Sequence, residues 1–395
     1  MVYIRRQSPL VLRSLLVIGA LLVTAAQAQH PCPGDINDDG SVTIAELIAA
    51  VNSALSGCTS PQETPTPILL ASFHTLGLPR DSHSTIASAV SADGTTVAVG
   101  SLGNTVDEET AYRWRADSGL VPLRQLGALL TSFPLGLSAN GSVIVGTSSD
   151  GADIFRPVRW WGTDTAEPLL PLPGPAGGGA NAVSGDGSVV VGRVFTRDDE
   201  TPYIAALWND REEPRLLDNQ WSEAAAVTSD GRVVAGTRVK SGPFRWEEST
   251  GIVELGNLPG GAPARAQAIS NDGRVICGGA LVGGAYRAFR WSEESGMVAL
   301  PEFPNNPRGS TAYSANEDGS VIVGSANDGV AVMWDSHGVH SIADVLAARG
   351  VELHGWAPQI AFGITPDGQT IVGSAALPTT GVRSAWIATL PNGTH

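Results

Sequence analysis

What this 395-residue chain has little of narrows its class before any motif is read. Charged residues make up only 16% of it, and the basic ones are the scarcer, 24 Lys and Arg against 39 Asp and Glu, for a formal net charge of −15. A surface so acidic repels phosphate backbones and anionic lipid, which excludes a nucleic-acid or anionic-membrane partner. No apolar run approaches the ~20 residues that a spanning helix needs, so no membrane span is expected. Cysteines number three and histidines seven, the latter scattered along the chain. No G-x-S-x-G occurs, since Gly136-Leu137-Ser138-Ala139-Asn140 fails at its last position, and no catalytic residue can be named.

What is abundant is glycine and proline, 47 and 26 residues, and they fall into a repeat. Ala266 to Gly278, A-Q-A-I-S-N-D-G-R-V-I-C-G, has close copies along the chain. Their central turns carry Asp93, Asn140, Asp186, Asp230, Asp272, Asp318 and Asp367, each followed by Gly, at spacings of 47, 46, 44, 42, 46 and 49 residues. That period belongs to propellers and solenoids. In a type I turn the first position favours a short polar side chain that bonds back to the backbone, the second suits Pro and the third Asp or Asn. Pro366 stands where that register puts it, and the following Gly can take the left-handed conformation of a hairpin bulge. Apolar flanks such as Ala180, Ala182 and Val183 before the turn and Val189 to Val191 after it predict a buried hairpin.

Each repeat reads as four strands. Two flank the turn, a third ends at Trp114, Trp160, Trp208, Trp246, Trp291 or Trp334, and a fourth resembles Gly251 to Leu255. One Trp per repeat reads as a wedge between units, with Trp386 two residues early in the seventh, a shift that keeps the strand face. The last repeat lacks a fourth strand, while Ile68 to Gly77 stands unpartnered before the first. The fold class expected is therefore all-β: a seven-bladed β-propeller of four-stranded blades over 68–391, closed by an N-terminal strand, with an open solenoid as the alternative. The repeat A-x-A-[VI]-S-x-D-G-x-V-[VI]-V-G, followed by A-F-R-W and G-[LIM]-V-x-L, resembles the HAF-type extracellular repeats of bacteria. That resemblance implies export and a repeat fold. The naming His-Ala-Phe is Arg287-Ala288-Phe289 here.

Met1 to Ala28 carries Arg5, Arg6 and Arg13, the apolar run Leu15 to Val23 and Ala26-Gln27-Ala28, the pattern of a cleaved signal peptide. The mature chain is expected to be secreted, extracellular or periplasmic. Losing three Arg and no acid takes its formal charge to −18. Next, Asp35 to Glu46 satisfies D-x-[DN]-x-[DN]-G-x5-E. Calcium takes six to eight oxygens, and Asp35, Asn37, Asp39, the Ser41 carbonyl, Thr43 and Glu46 would supply them around a bend at Gly40. A metal-free polar loop is the competing reading. Ile44, Leu47, Ile48, Val51 and Leu55 then form one helical stripe. Loop plus helix resembles one half of a type I dockerin, which implies calcium and a cohesin-like partner. The pair where many dockerins carry Ser-Thr reads Ile44-Ala45 here.

Cys32 and Cys58 bracket this module, 29–59, and an exported chain would join them as a disulfide. The helix must then stop near Ser56-Gly57, because Cys58 at its end would stand ~18 Å from Glu46. Cys277 replaces Val or Ala in the other copies and reads as a buried thiol. Residues 60–67 are a Pro/Thr-rich linker and 392–395 a tail.

The Asp/Asn-Gly turns are short and constant, whereas the connections on the opposite face vary: 14 residues from Gly100 to Trp114, 16 from Gly192 to Trp208, 10 from Gly236 to Trp246. Variable loops on a rigid scaffold are where binding resides. That face gathers Phe133, Tyr203, Trp221, Tyr286, His354 and Trp356 beside the acidic runs Asp107-Glu108-Glu109 and Asp198-Asp199-Glu200, a set suited to stacking on sugar; aromatic rim packing is the competing reading. The function expected is an extracellular binding module for a polysaccharide or cell-surface protein. The alternative is a secreted polysaccharide-active hydrolase with paired carboxylates and a docking module.

Overall fold

The computed structural model describes residues 70–391, apart from 81, 104–108, 127–130, 150–154, 163–165, 171–176, 197, 210–212, 305–307 and 327–328. The signal peptide, the calcium loop, the Cys32 and Cys58 pair, the linker and the tail all lie outside the described residues.

The chain opens with β1 (Ser72–Thr75) and then lays down antiparallel sheets in sequence. The first holds β2 (Ser84–Val90), β3 (Thr96–Leu102), β4 (Thr110–Arg115) and β5 (Gly119–Pro122). The second holds β6 (Thr131–Leu137), β7 (Val143–Ser149), β8 (Phe155–Trp161) and β9 (Glu167–Pro168). The third holds β10 (Gly178–Val183), β11 (Val189–Phe195), β12 (Tyr203–Asn209) and β13 (Arg215–Leu216), and the fourth β14 (Ser222–Val227), β15 (Val233–Arg238), β16 (Gly242–Glu247) and β17 (Gly251–Glu254). The fifth holds β18 (Arg265–Ile269), β19 (Ile276–Val282), β20 (Ala285–Ser292) and β21 (Gly296–Ala299). The sixth holds β22 (Ser310–Ala315), β23 (Ile322–Ala326), β24 (Val330–Asp335) and β25 (Gly338–Ser341). Last come β26 (Ala357–Ile364), β27 (Thr370–Ala376) and β28 (Arg383–Thr389), and β1 pairs with β28 from Ser72↔Thr389 to Thr75↔Trp386. A single parallel bridge, Ser84↔Arg383, joins this sheet to β2. The first strand of each sheet touches the first strand of the next, and β26 touches β2.

The turns form as their residue types require. Ser184 Oγ donates to Asp186 Oδ1 and accepts from the Val189 amide, while Asp186 Oδ1 accepts from the Ser188 amide, so two side chains close one turn. The same bonds recur about Asp93, Asn140, Asp230, Asp272 and Asp367, and Asn316 replaces the hydroxyl in the sixth copy. Gly187 follows at φ +84°, a left-handed conformation that glycine adopts without strain.

Two features recur from sheet to sheet. Trp160, Trp208 and Trp334 are buried, and each donates its Nε1–H at 2.9 Å to a carbonyl past the preceding sheet's last strand, that of Arg124, Leu170 or Pro301. Each such indole buries on the order of 200 Å², roughly 5 kcal/mol of apolar transfer as an upper bound. The second feature is a bulge in every first strand, as between Ala266 and Ala268. Beside it the first strand's carbonyl oxygen occupies the place a Cβ would take at Gly146, Gly192, Gly278, Gly324 and Gly373, well under 3.0 Å away. The Gly that ends V-x-V-G is therefore a steric requirement.

One element departs from the four-strand expectation. After β25 the chain enters a helix, α1 (Ile342–Ala348), with Ser341 as N-cap accepting from the Asp344 amide at 3.4 Å. Its Ile342 and Leu346 are buried in one cluster with Phe73 and Trp386. Among the described residues, no helix is long and apolar enough to cross a membrane.

Candidate functional site

The face opposite the Asp/Asn-Gly turns carries the entrances of the first strands, and one register position recurs there from sheet to sheet. Immediately before each bulge pair, a first-strand residue faces a second-strand partner: Phe133↔Thr147, Gly179↔Arg193, Glu223↔Thr237, Arg265↔Gly279, Thr311↔Ser325. Across four of the seams the second-strand residue meets the next sheet's first-strand residue. The Phe133 ring covers Gly100, Thr147 meets Gly179, and Arg193 Nη1 pairs with Glu223 Oε2 at 2.7 Å. Between the fifth and sixth sheets the pair is Gly279 and Thr311, a glycine and a threonine as at Gly179 and Thr147. A cleft of about 380 Å³ opens there.

Its walls are polar and aromatic: Arg265 and Gln267 from β18, Tyr286 from β20, Arg308, and Thr311 and Tyr313 from β22. Tyr286 is 54% exposed, and the Tyr313 ring leans on Phe362 with centroids 5.2 Å apart. The chain reaches the sixth sheet by a tight approach, a parallel bridge of Gly309 to Tyr286, where Gly309 has φ +93° and any Cβ would strike the Tyr286 backbone. Arg265 and Arg308 bring guanidinium groups to the cleft.

Contacts continue along the face across the two preceding seams. Arg265 Nη1 lies 3.7 Å from Glu223 Oε1, whose other oxygen holds Arg193. Arg193 Cζ sits 5.4 Å from the Tyr203 ring centroid, and Tyr203 meets Trp221 edge-on at 5.7 Å. Of the residues singled out from sequence, Tyr203 and Trp221 are thus in contact, and Tyr286 lies in the cleft. Phe133 is engaged over Gly100, Trp356 packs on the cluster containing Trp386, and His354 stands at φ +49° with Nδ1 3.9 Å from the Glu352 carboxylate. Sequence reasoning passed over Arg265, Gln267, Arg308 and Tyr313.

The acidic runs do not converge. Asp198 Oδ1 accepts the Glu200 amide at 3.0 Å and closes its own exposed turn. Glu109 is partly buried, and burial raises its pKa; Asp107 and Glu108 lie outside the described residues. Among the described residues no three His, Cys, Asp or Glu side chains gather as a metal site. Cys277 is fully buried, which pushes its thiol up to about 12 and leaves it inert as a nucleophile. On the other face the turns bond to one another, Ala92 N–H to Ala139 O and Gly185 N–H to Ser229 O at 2.8 Å, around a cavity of about 140 Å³ lined by their short residues.

No family model and no curated protein matches the chain. Among solved structures it is similar to an oligogalacturonate lyase in complex with manganese, at 15% identity and a TM-score of 0.52, covering 82% of this chain and 97% of that one. It is also similar to the oligogalacturonate lyase of Vibrio parahaemolyticus, at 12% identity and a TM-score of 0.55, covering 82% and 98%. At these identities the likeness is one of fold, a propeller-type assembly of four-stranded sheets.

Proposed function

We propose that this is an exported, calcium-binding, HAF-type repeat protein whose propeller binds an extracellular polysaccharide. In this reading the propeller has seven blades, and β1 supplies the fourth strand of the last. The pairing of β1 with β28 and the cyclic order of first-strand contacts support it. Calcium is held by Asp35, Asn37, Asp39, Ser41, Thr43 and Glu46, and the Cys32–Cys58 disulfide clamps that module; the support for both is the complete loop pattern and its likeness to half a dockerin.

The observation that carries polysaccharide binding is the cleft between the fifth and sixth sheets. An exposed tyrosine ring beside hydroxyl, amide and guanidinium donors is the equipment that grips a sugar, whose faces are apolar and whose rim is polar. The two solved structures of similar fold are named as acting on an oligosaccharide, which agrees in substrate class. Calorimetry of the mature chain against a glycan panel, with reducing ends followed in parallel, tests the reading. Saturable binding without turnover is expected. Release of reducing sugar without the unsaturated ends that a lyase leaves, lost on substituting a loop carboxylate, would establish the hydrolase instead.

A further inference from the structure

We infer that the cleft receives the end of a glycan chain and not its middle, because it opens onto a blind well on the propeller axis, where Tyr313 and Phe362 wall the terminal ring and Gln267 meets its hydroxyls. This rests on the propeller and polysaccharide readings and deepens them.

The well follows from the bulge in each first strand. The extra residue there is Ser88, Leu135, Asn181, Ala225, Gln267, Tyr313 or Phe362. In every copy the residue before it is buried and the bulge residue itself is not. Side chains two apart on a strand share a face. Two residues beyond each bulge stands an aliphatic residue, such as Val90, Leu137 or Ile269, and these border one cavity common to all seven copies. The bulge residues therefore ring the same axis one layer nearer the face that carries the cleft. Neighbours in that ring touch: the Tyr313 and Phe362 ring centroids lie 5.2 Å apart, and Asn181 Nδ2 donates to the Ala224 carbonyl at 2.8 Å.

Toward the other face the axis closes. Beyond the aliphatic collar the turns bond to one another, Ala92 N–H to Ala139 O and Gly185 N–H to Ser229 O at 2.8 Å and Glu317 N–H to Pro366 O at 3.0 Å. The space left among them is about 140 Å³, less than half of the ~300 Å³ at which ligand sites begin. A sugar chain cannot thread the axis from face to face. The cleft, at about 380 Å³, does reach that size, and it shares Gln267 and Tyr313 with the ring of bulge residues. Gln267, Tyr313 and Phe362 are consecutive members of the ring, flanked by the short side chains of Ala225 and Ser88. A terminal ring entering there meets an aromatic wall and an amide, with room on either side and a dead end ahead. A chain whose middle entered would have to leave by the same mouth, with two lengths of chain in a cleft sized for one.

The test titrates the mature chain calorimetrically with short and long linear oligomers of glucose, xylose and galacturonate. For the sugar that binds, one protein per chain is expected at every length; several proteins on each long chain would overturn end recognition while the polysaccharide reading stands. Tyr313→Ala should lose about tenfold or more in affinity. Ala225→Phe and Ser88→Phe narrow the well without altering the residues that line the cleft, and each should lose as much, with thermal midpoints identifying the folded variants. If Tyr286→Ala weakens binding and the folded well variants do not, the chain lies across the cleft and the well assignment alone falls. Binding to none of the three sugars overturns this inference together with the polysaccharide reading.

Discussion

Arg113 in β4 donates from Nη2 to the carbonyl oxygen of Ser142 at 3.2 Å, tying the third strand of one sheet to the Asn-Gly turn of the next. Arg245 reaches in the same way from β16 to the carbonyl of Gly273 at 3.4 Å. The Arg-Trp pair that recurs in the repeat thus works at two levels, the indole wedging toward the preceding sheet and the guanidinium reaching the following one.

The Arg113 bond has a cost. The side chain is buried, its Nε has no partner, and burial together with the neighbouring Arg115 charge lowers its pKa. Leu207 and Met333 stand at the same position in other sheets. Arg113→Met should therefore change stability by less than about 1 kcal/mol, since an apolar chain of similar length removes the desolvation penalty, whereas Arg113→Ala should cost about 2–4 kcal/mol through the cavity it leaves. Urea denaturation of both variants checks this, and equal losses would mean the hydrogen bond outweighs packing.

Acid should loosen the turns. Asp93 and Asp230 have lowered pKa values chiefly through the hydroxyls of Ser91 and Thr228, Asp186 through the Ser188 amide and Asp318 through the Ser320 hydroxyl. A lowered folded pKa means stability that is complete above the unfolded value of 3.8 and lost as pH falls through the folded one. Glu109 has the opposite sign, because its burial-raised pKa penalises ionisation as pH rises past 4.5. Asn140 already serves in one turn, so Asp186→Asn should fold normally and show a shallower loss of thermal midpoint below about pH 4. An unchanged acid limb would show that these turns do not set it.

These turns were legible in the sequence because every bond in them is local, made within five residues of Asp186 or its equivalents. The β1 partner was also legible, since a strand without a hairpin at one end and a hairpin without its strand at the other leave one pairing. The cleft was not. Arg265, Gln267 and Tyr313 sit within strands, and what brings them together is pairing across the sheet and contact across the seam, a relation that no linear spacing displays. Comparing the copies position by position, rather than their loops, would have marked Gly279. The helix α1 carried its own signal, Ser341 before Ile342 with Asp344 at the third position, but it was hidden inside a segment read for strands.

Removing Ile68 to Leu76 should open the far end of the chain. Besides the β1 register, Leu76 N–H donates to the Ala385 carbonyl at 2.8 Å, and the Phe73 ring meets Trp386 at 5.8 Å. Without them β28 becomes a bare edge. Amide exchange across Ser384 to Ala388 should accelerate while that of β14 to β17 stays slow; protection retained at Ser384 to Ala388 would mean that β1 is dispensable.

Glu46→Gln should weaken calcium binding by the module at 29–59 at least tenfold, because it removes a charge and one of two ligating oxygens. Calorimetry on the mature chain reads it directly. Affinity equal to that of the unsubstituted chain would return Asp35 to Glu46 to the class of polar loops.

Two adjacent glycines should answer alanine in opposite ways. At Gly278 a Cβ would press on the Arg265 carbonyl oxygen, at well under 3.0 Å, and would lie 3.0 Å from the Phe289 ring, so the strand pair must part to admit it. At Gly279 the nearest atoms are Thr311 Oγ1 at 3.2 Å and Cγ2 at 3.3 Å, both on one side chain, which must shift by only a few tenths of an ångström. Neither residue is in the left-handed region, so the contrast is steric and not conformational. Gly278→Ala should cost about 3 kcal/mol or more, whereas Gly279→Ala should be neutral or stabilise by up to about 1 kcal/mol by restricting the unfolded chain. Thermal midpoints measured side by side separate the two. If both fell together, Thr311 would be shown unable to yield and the space beside Gly279 to be as closed to a Cβ as that beside Gly278.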